Sequence, residues 1–497
     1  MGHRRGRRCS SPTRERESDF RACWSWRRNH RLHARHPFES SRRPGKRVTS
    51  VLLPISTAEI GLLIVLILLA PFSVAGLSLI NTGLGRSRSA AHCLLTSLCI
   101  FAVAVAVYTI CGFAWQGYIG APAHVIAVAG QPWNWLARSP FFLRAIQFDG
   151  APISLAAGLQ IFSVGLAALI PLGACLDRWR LSAACASTAL LAGWTYPLFA
   201  HWVWGGGWLA QLGTNSGMGR GVIDAGGSGT IQAVGGLTAL AIAWILGPRR
   251  GKYSLEGMPT AIPGHNAVLI LLGCFLAFFG WLGLNSAGAI LFAGAAPGRI
   301  VLISINTALA AGAAILASVL ITGMRFGRPD VSISANGWVG GLVASSASCA
   351  FVNPLAALVI GAIAGTLVTY SVEWFELHLG VDDPGGAISV HALGGLWGLL
   401  AVAIFAHLPA PLVDVGRGLF RPAPTRGAGQ ALAQIVAVAT LIGFVLPLTY
   451  GLNLALNRIW PQRVVMEGER QGLDLYELGA GAYPEFVTHS EEFGQFR

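Results

Sequence analysis

The feature that most constrains this chain is the recurrence of long, non-alternating apolar runs. Eleven can be marked, at about 58–79, 91–113, 153–176, 181–200, 228–246, 267–284, 301–321, 337–351, 355–372, 387–405 and 432–454. Runs of this kind are read against a hydrocarbon layer about 30 Å thick. Inside lipid the chain must satisfy its own backbone N–H and C=O groups, which leaves helices or a closed barrel. Barrel strands alternate at every second residue and these runs do not, so an all-α polytopic membrane protein is expected. Composition agrees: 54% of the 497 residues are hydrophobic and only 11% are charged, against about 25% charged in a soluble domain. The 63 glycines suit helices whose backbones approach closely.

The net charge of +13 is misleading as a guide to partners. Residues 1–50 hold 15 Lys plus Arg against 4 Asp plus Glu, so +11 sits in one tenth of the chain. This head has no periodicity and no apolar core. It is read as a disordered tail or an extension ahead of the true start, not as a nucleic-acid arm. The expected division is an extension at 1–50, a transmembrane domain at 51–457 and a polar tail at 458–497. Nine cysteines are scattered, mostly in apolar runs, with no C-x-x-C pair and no zinc spacing. No nucleophile–base set emerges either, so neither an enzyme nor a cofactor or metal site is expected.

Eleven spans put the two ends on opposite sides. Basic residues gather in tight clusters at Arg86/Arg88, Arg178/Arg180, Arg249/Arg250/Lys252 and Arg325/Arg328. Such clusters mark the cytoplasmic side. The C-terminus is then cytoplasmic, the N-terminus outside, and Asp224 lies on the outer side. The eighth run is short, with Asn353-Pro354 behind it, and short spans often line polar paths.

An ionisable group close to a span marks function or a tight structural contact. Asp224 stands just before the fifth run, with Gln232 eight residues on; Trp202, Trp204 and Trp208 close the fourth. Asp224 has two compatible readings: it holds the local field negative for a cation, or it caps the N–H groups of the helix beginning near Ser228. A tryptophan face can hold a cation, or the ring can be an interfacial anchor. His391, in the tenth run, is a polar group in apolar surroundings and needs a partner. Asp177 with Arg178 reads as a salt bridge and helix stop. Asp382-Asp383-Pro384 reads as an N-cap with a helix-start proline.

Several ordered segments carry a resemblance: H-W-V-W-G-G-G-W-L from His201, D-A-G-G-S-G from Asp224, N-G-W-V-G-G-L-V-A from Asn336, and V-D-D-P-G-G-A-I-S-V-H-A-L-G-G from Val381. With the tail G-L-D-L-Y-E-L-G-A-G-A-Y-P from Gly472, the chain resembles the ammonium transporter/methylammonium permease family, related to the Rhesus glycoproteins, from about Glu59 to Pro484. The resemblance implies a homotrimer in the inner cell membrane, with one pore per subunit. It implies two inverted five-helix repeats plus a last helix, and a tail that packs under the subunits and meets a PII-type regulatory protein. Ammonium would be recruited outside and stripped of a proton, and ammonia would cross.

The site positions follow from the same resemblance. Trp204 corresponds to the mouth tryptophan, and Asp224 to the acidic residue behind it. Ser163 and Leu284 stand where the family has its two gate phenylalanines, with Phe162 one residue early and Gln160 ahead of the gate. Gly288 stands at the mouth-serine position, with Ser286 near. His391 is the second pore histidine, and Gln232 replaces the first. Glutamine can donate and accept hydrogen bonds but has no accessible pKa, so it cannot relay a proton as imidazole does. The leading expectation is ammonium/ammonia transport through an apolar pore. The alternatives are a non-conducting ammonium sensor, or a channel for another small solute such as methylamine or carbon dioxide.

Overall fold

Ser56 opens the helical part of the chain. Its hydroxyl accepts from the Glu59 amide, and the Glu59 carboxylate accepts from the Ser56 amide. This reciprocal cap satisfies two N–H groups that the first turn leaves without partners. The computed structural model describes residues 56–144, 146–408, 412–414, 420–422 and 428–483. The basic head and the tail beyond Tyr483 lie outside the described residues.

Among the described residues, nine helices are long and apolar enough to cross a membrane: Thr57–Leu84, Ser87–Gln116, Pro152–Ala174, Ser228–Leu246, Ala267–Ala293, Pro297–Phe326, Pro354–Leu379, Ile388–Phe405 and Ala428–Ile459. Two further helical stretches fall at the fourth and eighth apolar runs. Leu181–Leu190, Leu191–Thr195 and Tyr196–Val203 follow one another without a break, and Val331–Ser346 is shorter. That last helix begins six residues before the expected start at 337, because the Asp330 carboxylate caps the Ile333 amide.

Burial locates the centre. The share of the apolar window enclosed by protein is 89% for Ser228–Leu246, 78% for Pro152–Ala174 and 61% for Ile388–Phe405, against 28% for Ala428–Ile459. The first three form the inner layer, and the last presents much of its surface outward. Glycines bring neighbouring backbones together: a Cβ on Gly76 would stand 2.3 Å from the Ala277 amide nitrogen.

The polar-aromatic segment 116–150, whose Trp133 and Trp135 read as interface aromatics, holds an antiparallel hairpin, Ala123–Val128 paired with Gln131–Ala137. Ala129 and Gly130 turn it with φ of 52° and 76°, the two positive values that a tight two-residue hairpin requires. Asp177 and Arg178 do not serve each other as partners. Asp177, at φ 67°, ends its helix and meets Arg249 at 3.1 Å, whereas Arg178 meets Asp382 at 3.7 Å.

Candidate functional site

Two broken helices meet at the centre, and each is built the same way. Asp224 precedes Ser228–Leu246. One of its carboxylate oxygens accepts from the Gly229 amide at 3.1 Å, the Thr230 amide at 2.7 Å and the Thr230 hydroxyl at 2.8 Å. Gly227 turns the chain at φ 93°, and the first six helical residues, Ser228–Ala233, run as a wide π-type turn. Asp383 precedes Ile388–Phe405 and accepts from the Ala387 amide at 2.9 Å and the Ile388 amide at 2.7 Å. Gly386 turns at φ 66°, and Ile388–Leu393 is again a six-residue π-type turn. Each aspartate thus caps a helix with a side-chain acceptor at the N-terminus; burial raises both carboxyls against these hydrogen bonds, Asp383 to about 7. Asp382, expected to share this cap, instead belongs to an ion-pair network.

The residue eight places after each aspartate points to the other helix. Gln232 and His391 are both buried, and His391 Nδ1 lies 2.7 Å from Gln232 Oε1. An amide oxygen only accepts, so Nδ1 carries the proton and Nε2 keeps its lone pair. Gln232 Nε2 is buried without a hydrogen-bond partner among the described residues. The pair therefore offers spare amide N–H donors and one imidazole acceptor, which suits a small neutral molecule that both donates and accepts. The helices can come this close because of Gly236 and Gly395. A Cβ on Gly236 would lie 2.2 Å from the Ala392 nitrogen, and one on Gly395 would lie 2.4 Å from the Ser228 carbonyl oxygen.

Around the Asp224 end, Trp204 is buried. Its Nε1 donates to the Asp224 carbonyl at 2.7 Å, and its ring stacks on Phe292 with centroids 4.5 Å apart. Gly288 lies one turn before Phe292 and faces the Ala225 carbonyl, 2.5 Å from where a Cβ would stand. Ser163 is buried and its hydroxyl donates to the Leu159 carbonyl. Gln160 accepts from the Tyr196 hydroxyl. Leu284 and Ser286 are buried on the helix Ala267–Ala293. Phe162 stacks on Phe101 of the helix Ser87–Gln116, with centroids 6.4 Å apart, so it leans toward that neighbour. Trp202 donates to the Trp135 carbonyl, and Trp135, Trp202 and Trp208 form one aromatic cluster. Phe292 and Tyr196 were given no role in the sequence reading. Phe292 had no motif to mark it. Tyr196 lies five residues before the His201 motif and carried no recognisable chemistry.

The two ends differ in charge. Asp224 Oδ1 has no hydrogen-bond partner, and no ion pair involves Asp224 among the described residues. At the other end, Asp382 binds Arg249 through two oxygens, at 2.9 and 3.0 Å, while Asp177 bridges Arg249 and Arg86. Burial pushes the Asp382 carboxyl up, but the Arg249 hydrogen bonds and the Arg178 and Arg249 charges outweigh it and hold it at about 2.

The tail fastens to this same end. Asp474 caps the helix Ser87–Gln116 by accepting from the Ala91 and His92 amides at 3.2 and 2.7 Å. Glu477 meets His92 Nε2 at 2.8 Å and the Leu181 amide at 2.9 Å. Burial pushes the Glu477 carboxyl up, and its contacts with His92, Leu181 and Arg180 outweigh this and hold it below its ordinary value. Among the described residues, no group of three or more His, Cys, Asp or Glu is arranged to hold a metal.

Residues 61–483 match the Ammonium Transporter Family. The chain is 36% identical over 427 residues to ammonium transporter Amt2 of Archaeoglobus fulgidus, covering 85% of this chain and 88% of that one. It is 31% identical to the ammonium transporter of Bacillus subtilis, covering 82% and 94%. A solved structure described as a sensor Amt protein superposes with a TM-score of 0.73 at 27% identity, covering 84% of this chain and 97% of that one. Candida albicans Mep2 shares the fold, with a TM-score of 0.69 at 21% identity, covering 83% and 87%.

Proposed function

The chain belongs to the ammonium transporter family, and from that premise we propose that it passes ammonia along the hydrogen-bonded Gln232–His391 pair without relaying a proton through it. The general function is transport of ammonium or ammonia across a membrane by a multi-pass helical protein, and the chain is not an enzyme. The observation that carries the finer reading is the buried Gln232–His391 contact at 2.7 Å. Ammonia donates three hydrogens and accepts one, so it can meet the spare amide N–H and the free imidazole nitrogen in turn. Ammonium has four donors and no lone pair, and a donor on its route opposes it.

The Asp224 end is the outer mouth in this reading. Its unpaired carboxylate supplies the negative field, and Trp204, Ser163, Gly288, Phe162, Leu284 and Gln160 surround the route inward. The corresponding caps at Asp224 and Asp383 support two inverted halves of five spans with an eleventh span after them. A homotrimer in the inner membrane, a cytoplasmic C-terminus and a PII-type partner belong to the same proposal. The test is purified protein in liposomes loaded with a pH dye and given an ammonium pulse. Internal alkalinisation faster than in empty liposomes is expected; none would overturn the reading.

A second reading is favoured by the likeness to a sensor Amt protein: an ammonium receptor that does not conduct. Ammonium binding without alkalinisation would select it.

A further inference from the structure

We propose that Phe292, rather than Trp204, presents the aromatic face on which an ammonium cation is first held. The inference rests on the reading of the Asp224 end as the mouth. A cation binds a ring only over an open face, within about 6 Å of the centroid. Trp204 does not offer one toward Phe292. The two rings lie 4.5 Å apart and 13° from parallel, which leaves no room for an ion between them. Trp204 is 3% exposed and its edge is fixed by the bond from Nε1 to the Asp224 carbonyl. Phe292 is only partly buried, so of the two rings it is the one with surface to give.

The backbone around Phe292 also favours a cation. The residue lies in the last turn of the 27-residue helix Ala267–Ala293, which ends at Gly294 with φ 65°. The carbonyls of a helix C-terminus carry partial negative charge. One turn earlier, Gly288 lies against the Ala225 carbonyl, which ties Phe292 to the loop carrying Asp224. Tyr118 donates to the Leu291 carbonyl at 3.1 Å and steadies the helix end. Phe292 therefore combines a partly exposed ring and a helix C-terminus, with the Trp204 ring stacked behind it and held to the Asp224 backbone carbonyl.

The test uses the full chain in detergent, titrated calorimetrically with ammonium chloride against sodium chloride at constant ionic strength, and the same proteins in dye-loaded liposomes. Phe292→Leu keeps apolar bulk and removes the π face. It is expected to weaken ammonium binding about threefold to tenfold, the size of one partly exposed cation–π contact. Phe292→Trp restores a ring and is expected to bind as well as the native protein or better. The proposal is overturned if Phe292→Leu binds ammonium like the native protein, if Phe292→Trp binds several-fold more weakly, or if the native protein binds no ammonium. Native protein that binds ammonium and shows the Phe292→Leu loss but moves no ammonia would refute the transport reading and leave this one standing.

Discussion

The segments Asp224–Gly236 and Asp383–Gly395 are two versions of one device. Each has an aspartate cap, a left-handed glycine three residues on, a six-residue π-type turn, an inward residue eight places from the aspartate, and a glycine pair at the crossing. They differ in two respects. The inward residue is Gln232 in one and His391 in the other. The Asp224 carboxylate has no ion pair among the described residues, whereas beside Asp383 the carboxylate of Asp382 is clamped by Arg249 and Arg178. The shared parts are those that shape a backbone, and the differing parts are those that handle charge. A scaffold can therefore be kept while the charged surroundings of its two caps differ, and while the two facing residues are one amide and one imidazole.

The largest expected effect comes from the braced end. Arg249→Met leaves Asp382 and Asp177 short of their main partner, and stability should fall by about 3–5 kcal/mol. Thermal unfolding in detergent checks this, and an unchanged melting temperature would mean that the network is dispensable. Acid gives a smaller effect at the same place. The folded Asp382 carboxyl is held at about 2, below its ordinary value of 3.8. Its stabilisation is therefore complete above the ordinary carboxylate range and is lost as pH falls toward 2. The loss is about 2 kcal/mol. It should vanish from the pH–stability profile of Asp382→Asn.

The crossing itself should respond symmetrically. Gly236→Ala and Gly395→Ala each force a methyl against backbone of the facing segment, and each should cost about 2 kcal/mol through overpacking. If one is tolerated and the other is not, the two halves are less alike than their geometry. The smallest change is at the unpaired end. Asp224→Asn keeps an acceptor for the Gly229 and Thr230 amides but removes the charge. Stability should fall by about 1 kcal/mol, and the concentration of ammonium needed for half-maximal alkalinisation should rise severalfold. Equal concentrations would leave Asp224 with its capping role alone.

Much of this was legible in the chain, because lipid imposes strong rules. Apolar runs marked the helices, and ordered motifs such as D-A-G-G-S-G and V-D-D-P-G-G marked the caps at Asp224 and Asp383. The role of Asp382 was not legible, since an acidic pair before a proline reads equally as one cap, and its partners Arg178 and Arg249 are remote in sequence. The hairpin at 123–137 was hidden because W-N-W reads as membrane-interface aromatics and its turn, Ala129-Gly130, has only one glycine. Phe292 was hidden for a different reason. Nothing in A-I-L-F-A-G distinguishes a phenylalanine facing lipid from one stacked on Trp204, which lies 88 positions earlier in the chain.

The central claim is that Gln232 lets ammonia pass and carries no proton. The most direct measurement is the current evoked by an ammonium pulse on a solid-supported membrane, recorded beside internal pH for the native protein and for Gln232→His. The account predicts alkalinisation without steady current from the native protein, and a saturable inward current once histidine is restored. A saturable inward current from the native protein would contradict it.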